Sequence, residues 1–205
     1  MPPSRPFEHL LVGQFNLREG LYALIANEVK AAKKGKKAEM ILKINSLEDK
    51  GIISKLYEAS QAGVKIRLIV RGICCLVPGI KDLSENIEII SIVDRYLEHA
   101  RVFVFHNGGD ERIYLSSADW MERNLTYRIE TIFPVYDPAL RRDLLNLLNL
   151  QLSDNVKARI IDAENRNEYL RTGSDIPVRA QLETYFYLKR TYEEKRAVEP
   201  EEVAE

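Results

Sequence analysis

His99, Arg101, Ser116, Ser117 and Asp119 are residue types that can handle phosphate. An imidazole titrates near neutrality and can serve as general acid or base. A guanidinium grips phosphate oxygens bidentately, and hydroxyls add further hydrogen bonds. The intervening sequence supplies a way to gather them. Val102 to Phe105 is an apolar, β-branched and aromatic run, Asn107-Gly108-Gly109-Asp110 is a turn signal, and Ile113 to Leu115 is a return strand. Such a hairpin carries His99 and Arg101 on one strand face, because side chains two apart point the same way. Its return strand delivers Ser116, Ser117 and Asp119 to the same end.

The elements that must support this hairpin come earlier in the chain. Met40 to Ile44 reads as a strand and Ser46-Leu-Glu-Asp49 as a capping-box-like start. The helix that follows bears Ile52, Ile53, Leu56 and Tyr57 and stops at Gly63. Val64 to Val70 is the next strand, which completes a βαβ unit. Ligands of open α/β sheets sit beyond the carboxyl ends of the parallel strands. Arg71 occupies that position, so position leaves two readings: an anion-binding side chain, or a solvated strand end. Gly72 would let backbone approach closely there. Arg95 and Arg123 complete the set of candidate guanidiniums; Arg95 and Arg101 could equally pair with Glu98 and Glu111.

Elsewhere, Met1 to Pro6 reads as a loose segment and Leu10 to Val12 as a short strand or extended entry. Asn16 is placed to cap a helix bearing Leu17, Leu21, Leu24, Ile25 and Val29, closed by Lys33-Lys34-Gly35. Ile87 to Val93, Tyr127 to Val135 and Val156 to Ile161 read as strands. Asp137-Pro138 opens a helix with Leu140, Leu144, Leu147 and Leu148 on its apolar face. Pro177 to about Lys195 reads as a terminal helix, with Leu182, Phe186 and Leu188 as packing positions. The acidic end is expected to be disordered.

Composition narrows the classes. The 205 residues are 45% hydrophobic and 30% charged, enough for a sizeable core. A net charge of -1 points to no nucleic-acid or membrane partner, so anion binding must come from local basic groups. Cys74 and Cys75 are adjacent, which fits neither a redox pair nor a zinc site and suggests a reducing compartment. With no signal segment and no apolar run of membrane-spanning length, a soluble cytoplasmic protein is expected. Walker and Gly-x-Ser-x-Gly loops are absent, as is a metal-ligand cluster, so a metal would arrive with phosphates. His9 reads as structural, and His106 as an exposed residue beside the turn.

The pattern His99-x-Arg101…Ser116-Ser117-x-Asp119 resembles the His-x-Lys…Gly-Ser-x-Asn motif of the phospholipase D superfamily. Arginine replaces its lysine, and His106 stands at its aspartate. Longer strings resemble the C-terminal part of type-1 polyphosphate kinases. They are Phe15-Asn-Leu-Arg18, Ile41-Leu-Lys43-Ile-Asn45-Ser46, Ile69-Val-Arg71-Gly-Ile-Cys-Cys-Leu-Val-Pro-Gly79, Tyr96-Leu-Glu-His99 and Tyr114-Leu-Ser-Ser-Ala-Asp-Trp-Met121. The likeness runs from about Phe7 to Tyr192, which sets the expected division into a loose segment 1–6, a domain 7–192 and a disordered tail 193–205.

This resemblance implies an α/β, phospholipase-D-like mixed β-sheet flanked by helices on both faces. It implies reversible transfer of the terminal phosphate of ATP to inorganic polyphosphate, with ADP as the other product and Mg2+ bound to the phosphates. The family works through a phosphorylated histidine on a first catalytic domain, which this sequence lacks. Arg71 and His99 land on the family's ATP-phosphate contacts, with His99 as an acid/base; Arg101 and Arg123 would line the polyphosphate path. Asp94 stands where the family has glycine, and its charge would oppose a polyanion by about 1 kcal/mol. Expected partners are polyphosphate, ATP and a chain supplying the missing half, with homo-oligomerisation open. The isolated chain is expected to show no kinase turnover. Two other readings remain: a nucleotide- or polyphosphate-binding module docking on a separate half, and a homodimeric phosphodiesterase with His99 as nucleophile.

Overall fold

The computed structural model describes residues 7–171, 173 and 176–198. In chain order the elements are β1 (Leu11–Val12), α1 (Leu17–Lys33), β2 (Glu39–Ile44), α2 (Lys50–Gln61), β3 (Lys65–Val70), β4 (Ile87–Ile92), β5 (Arg101–Phe105), β6 (Arg112–Ser116), β7 (Thr131–Pro134), α3 (Pro138–Leu152), β8 (Ala158–Ile161) and α4 (Ala180–Val198). The strands form one eight-stranded sheet in the order β1-β7-β6-β5-β2-β3-β4-β8. β2, β3 and β4 run parallel, and the remaining pairings are antiparallel.

Alternation along β2 decides the layers. Met40, Leu42 and Ile44 face a core shared with Leu17, Leu21 and Ile25 of α1 and Ile52 and Leu56 of α2. Ile41 faces the other way, into a smaller core with Ile69, Ile90, Val102 and Val104, closed by Leu148 of α3 and Ala180 of α4. Helices therefore cover both faces, as expected. Each fully buried Leu or Ile contributes about 1.5–3 kcal/mol of transfer free energy. The register leaves Lys43 on the smaller core's face, with its side chain buried.

The expected β5–β6 hairpin forms, with Arg101 opposite Ser116 and Phe105 opposite Arg112. Asn107, Gly108 and Gly109 all adopt positive φ in its turn, a conformation open to glycine and tolerated by asparagine. Asp137 caps α3 through Oδ1, accepting from the Ala139 and Leu140 amides ahead of Pro138.

Several local readings change. Asn16 precedes α1 but does not cap it; its Oδ1 accepts from the Val12 amide and its Nδ2 donates to the Leu10 carbonyl, tying β1 to the helix start. Asp49, not Ser46, caps α2, accepting from the Ile52 amide. Tyr127 ends a π-helical turn, Arg123–Tyr127, and the strand begins only at Thr131. On α3, Leu144, Leu145 and Leu152 pack beside Leu148, whereas Leu140 is exposed. α4 runs to Val198, so residues 193–198 are helical, not tail. Its expected packing residues Leu182, Phe186 and Leu188 are exposed; Tyr187 reaches α3 instead, donating to Asp143 and accepting from Asn146. Residues 1–6 and 199–205 lie outside the described residues.

Candidate active site

The carboxyl ends of β2 and β3, the lead into β5 and the loop after β6 converge on one patch. Asp119 is its organising group. Its Oδ1 accepts the backbone amides of Asn45 (2.8 Å) and Ser46 (3.2 Å) and Nε of Arg101 (3.2 Å), and its Oδ2 accepts Nη2 of Arg101 at 2.8 Å. Burial works against the charge, but the guanidinium and the two amides outweigh it and hold the carboxyl below the usual carboxylate range. Arg101 is thus committed to Asp119, with only 12% of its side chain exposed, not to Glu98 or Glu111.

His99 lies just before β5 and is exposed. Its carbonyl accepts from Arg101 Nη1 (3.0 Å) and Asn45 Nδ2 (3.5 Å), and its Nδ1 lies 3.1 Å from Arg101 Nη1. A guanidinium has no acceptor, so Nδ1 accepts this bond and the neutral ring carries its proton on Nε2. The imidazole is therefore set to offer an N–H outward.

Arg71 reaches the same patch from the end of β3. Its Nε donates to Asn45 Oδ1 at 3.0 Å, and among the described residues it meets no carboxylate within ion-pair distance. Asn45, only 4% exposed, thereby links Arg71 to the backbone of His99. Gly72 keeps this junction open: its amide donates to the Asn45 carbonyl at 2.8 Å, and a Cβ would stand 3.2 Å from that oxygen.

The structure thus unites His99, Arg101 and Arg71, and adds Asn45, which the site reading did not single out. Its position one residue past a parallel strand was the available signal. Arg123 is exposed on the π-helical turn and contacts none of these groups. Ser116 and Ser117 are engaged locally and not with these groups: Ser116 Oγ accepts the Ala118 amide, and Ser117 bonds to Glu130 and the Thr131 amide. Asp94 does not burden the site with free charge, because Arg179 Nε and Nη2 grip it at 2.8 and 2.6 Å. That hydrogen bonding holds its carboxyl below the ordinary value.

The remaining candidates lie apart. His9 Nδ1 is 2.8 Å from the Tyr136 hydroxyl in a 630 Å³ cavity also lined by Arg112 and Tyr114, which contains none of the four expected site residues. His106 is half-buried, not exposed as expected, and its Nδ1 meets no hydrogen-bond partner among the described residues. Cys75 is exposed, whereas burial pushes the half-buried Cys74 thiol up to about 11. Among the described residues no helix is long and apolar enough to cross a membrane.

Known proteins share this chain's sequence and fold. Residues 10–181 match the family described as polyphosphate kinase C-terminal domain 2. The polyphosphate kinase of Vibrio vulnificus is 52% identical over 206 residues, covering 98% of this chain and 29% of the relative. That of Escherichia coli K12 is 49% identical, with 91% and 28% covered. The crystal structure of polyphosphate kinase from Porphyromonas gingivalis superposes with a TM-score of 0.89 at 51% identity, over 93% of this chain and 29% of that one. Nuc from Salmonella typhimurium, a phospholipase D family member, shares the fold at 14% identity and a TM-score of 0.54, over 75% of this chain and 98% of its own. The chain spans less than a third of the length of the polyphosphate kinases it matches. With residues 10–181 matching the family model and a phospholipase-D-like sheet that superposes on a polyphosphate kinase, the chain belongs to the polyphosphate kinase C-terminal domain 2 family.

Proposed function

We propose that this chain forms one wall of a site that reversibly moves the terminal phosphate of ATP onto inorganic polyphosphate. The observation that carries this reading is Arg71: a guanidinium at the carboxyl end of a parallel strand, aimed by a neutral amide and meeting no carboxylate. Its Nη groups are left to bind phosphate oxygens, where a positive charge stabilises the charge that develops in transfer. Nε2–H of His99 donates to a neighbouring phosphate oxygen and can return as base in the reverse direction. Arg101 acts through His99 and Asp119, not on the substrate. Arg123 is assigned to the outer polyphosphate path by its exposure.

Among the described residues no cluster of His, Cys, Asp and Glu could hold a metal ion. The carboxylates around the site, Asp119, Glu98 and Asp94, each face a cation. In this reading magnesium comes with the nucleotide phosphates. The opposing wall, with the covalent nucleophile, is supplied from outside the described residues. Two free cysteines fit a cytoplasmic location.

Calorimetric titration with Mg-ATP tests the reading. Wild-type chain should bind, and Arg71→Ala should weaken binding about tenfold or more, the worth of a charge-assisted hydrogen bond. The chain alone should make no polyphosphate. Equal affinity in wild type, Arg71→Ala and His99→Ala would sink the assignment.

A further inference from the structure

Lys43 is an anomaly of the β2 register. It lies on the same face of the strand as Ile41, which packs in the smaller apolar core, yet Lys43 is a cation with only 4% of its side chain exposed. Its Nζ donates to Glu98 Oε2 at 2.9 Å and to Gln151 Oε1, at the end of α3, at 2.7 Å. The other oxygen of Glu98 accepts Nε2 of Gln181, in the first turn of α4, at 3.0 Å. Gln181 also holds the backbone of Tyr96 on both sides, accepting its amide at 2.9 Å and donating to its carbonyl at 2.8 Å. Two residues earlier, Arg179 grips Asp94 through two hydrogen bonds. Residues 94, 96 and 98 are therefore each fixed from the interior, while Leu97 and His99 remain exposed.

A buried ion pair replaced as a whole by apolar residues often leaves stability unchanged, so the Lys43–Glu98 pair is weak evidence for a purely stabilising role. What this network does constrain is the segment that delivers His99. We propose that Lys43 and Gln181 are positioning residues for His99, clamping Asp94–Glu98 so that the imidazole keeps its Nδ1 on Arg101 and its Nε2–H toward phosphate. The inference rests on the assignment of His99 to a phosphate contact. It also ties the site to the start of α4, an element far from it in sequence. Arg179 supports the strap from its beginning; Lys43 and Gln181 act next to the histidine itself.

The test is nitrogen NMR of the histidine rings in the 205-residue chain, with and without Mg-ATP. In wild type, His99 should show a single Nε2–H tautomer that shifts on adding nucleotide. Lys43→Met and Gln181→Ala should each give averaged tautomer signals at His99. Each should also need about fivefold more Mg-ATP for the same shift, while the Gly72 amide keeps its wild-type position. Lys43→Arg, which retains a donor to Glu98, should restore the single tautomer at least in part. If Lys43→Met does not fold, Gln181→Ala decides. Folded variants with a wild-type His99 signature overturn the clamp. A wild-type His99 that ignores Mg-ATP overturns the phosphate assignment instead, and the nucleotide-free tautomer signature still judges the clamp.

Discussion

Asp119 and Glu28 hold opposite ends of the seam between β2 and β5, and they do so with opposite electrostatics. Asp119 accepts the amides of Asn45 and Ser46 just past β2 and pairs with Arg101 at the start of β5. Glu28, from α1, accepts the amides of Glu39 at the start of β2 and Asn107 just past β5. It is fully buried, meets no ion-pair partner among the described residues, and burial outweighs those amides to push its carboxyl above the ordinary value. One end of the seam keeps a charge and ties it to a histidine. The other end closes the same seam with a carboxyl that resists ionisation. Chemistry at the first end is not a requirement of the fold, because the second shows that two amides and a buried carboxyl suffice to join the strands.

The largest expected contrast is in stability. Asp119→Ala strands Arg101 in a site where it is mostly buried, and should cost about 3–5 kcal/mol in denaturant unfolding. Next in size, Arg71→Ala should cost Mg-ATP affinity about 10- to 100-fold with a smaller stability loss of about 1–3 kcal/mol, from the buried Asn45 oxygen left without its donor. A stability loss matching that of Asp119→Ala would move Arg71 into the structural class. At the other end, Glu28→Gln keeps one acceptor and should cost about 1–2 kcal/mol. Equal costs at Asp119 and Glu28 would break the contrast outright.

Acidity should separate the ends by sign. Asp119, with a depressed value, contributes stability that is present above the ordinary carboxylate range near ~4 and is lost as pH falls through its own lower value. Glu28, with a raised value, contributes stability that is present below ~4.3 and is lost as pH rises through its folded value. Wild type should therefore gain on Glu28→Gln as pH falls from neutrality toward ~4.3, while its margin over Asp119→Asn holds until below ~4. Unfolding free energies measured across that range, moving together for both pairs, would contradict the assignment. The smallest effect belongs to Arg123→Ala. It should leave nucleotide binding unchanged and lower the salt dependence of polyphosphate binding by roughly one counterion.

Much of this architecture was legible from local pattern. The βαβ unit, the β5–β6 hairpin and the Asp137-Pro138 helix start all rest on signals within a few residues, and they appear where those signals put them. The readings that changed are those settled by distant partners. Asp49, not Ser46, caps α2: the Asp49 amide that a Ser46 cap would accept goes to the carbonyl of Trp120, and the Ser46 amide goes to Asp119, seventy-three residues away. Arg101 found Asp119 instead of its nearer acids for the same reason. Asp94 read as an unfavourable charge beside a polyanion, and nothing local to it announces Arg179, eighty-five residues on. The family resemblance named Arg71 and His99, but not Asn45, whose part is to connect two segments that sequence holds apart.

The placement of β2 carries a consequence for how the chain must fold. One of its edges is covered by β3, after a single helical crossover; the other waits for β5, which comes only after β3 and β4. Until the hairpin docks, Met40-Ile41-Leu42 presents an open, apolar ladder edge that any extended strand can extend. Late, long-range pairing of this kind is slow. The seam that assembles the candidate site is therefore also an aggregation hazard while it stays open. Variants that delay hairpin docking should precipitate during refolding before they lose any native contact.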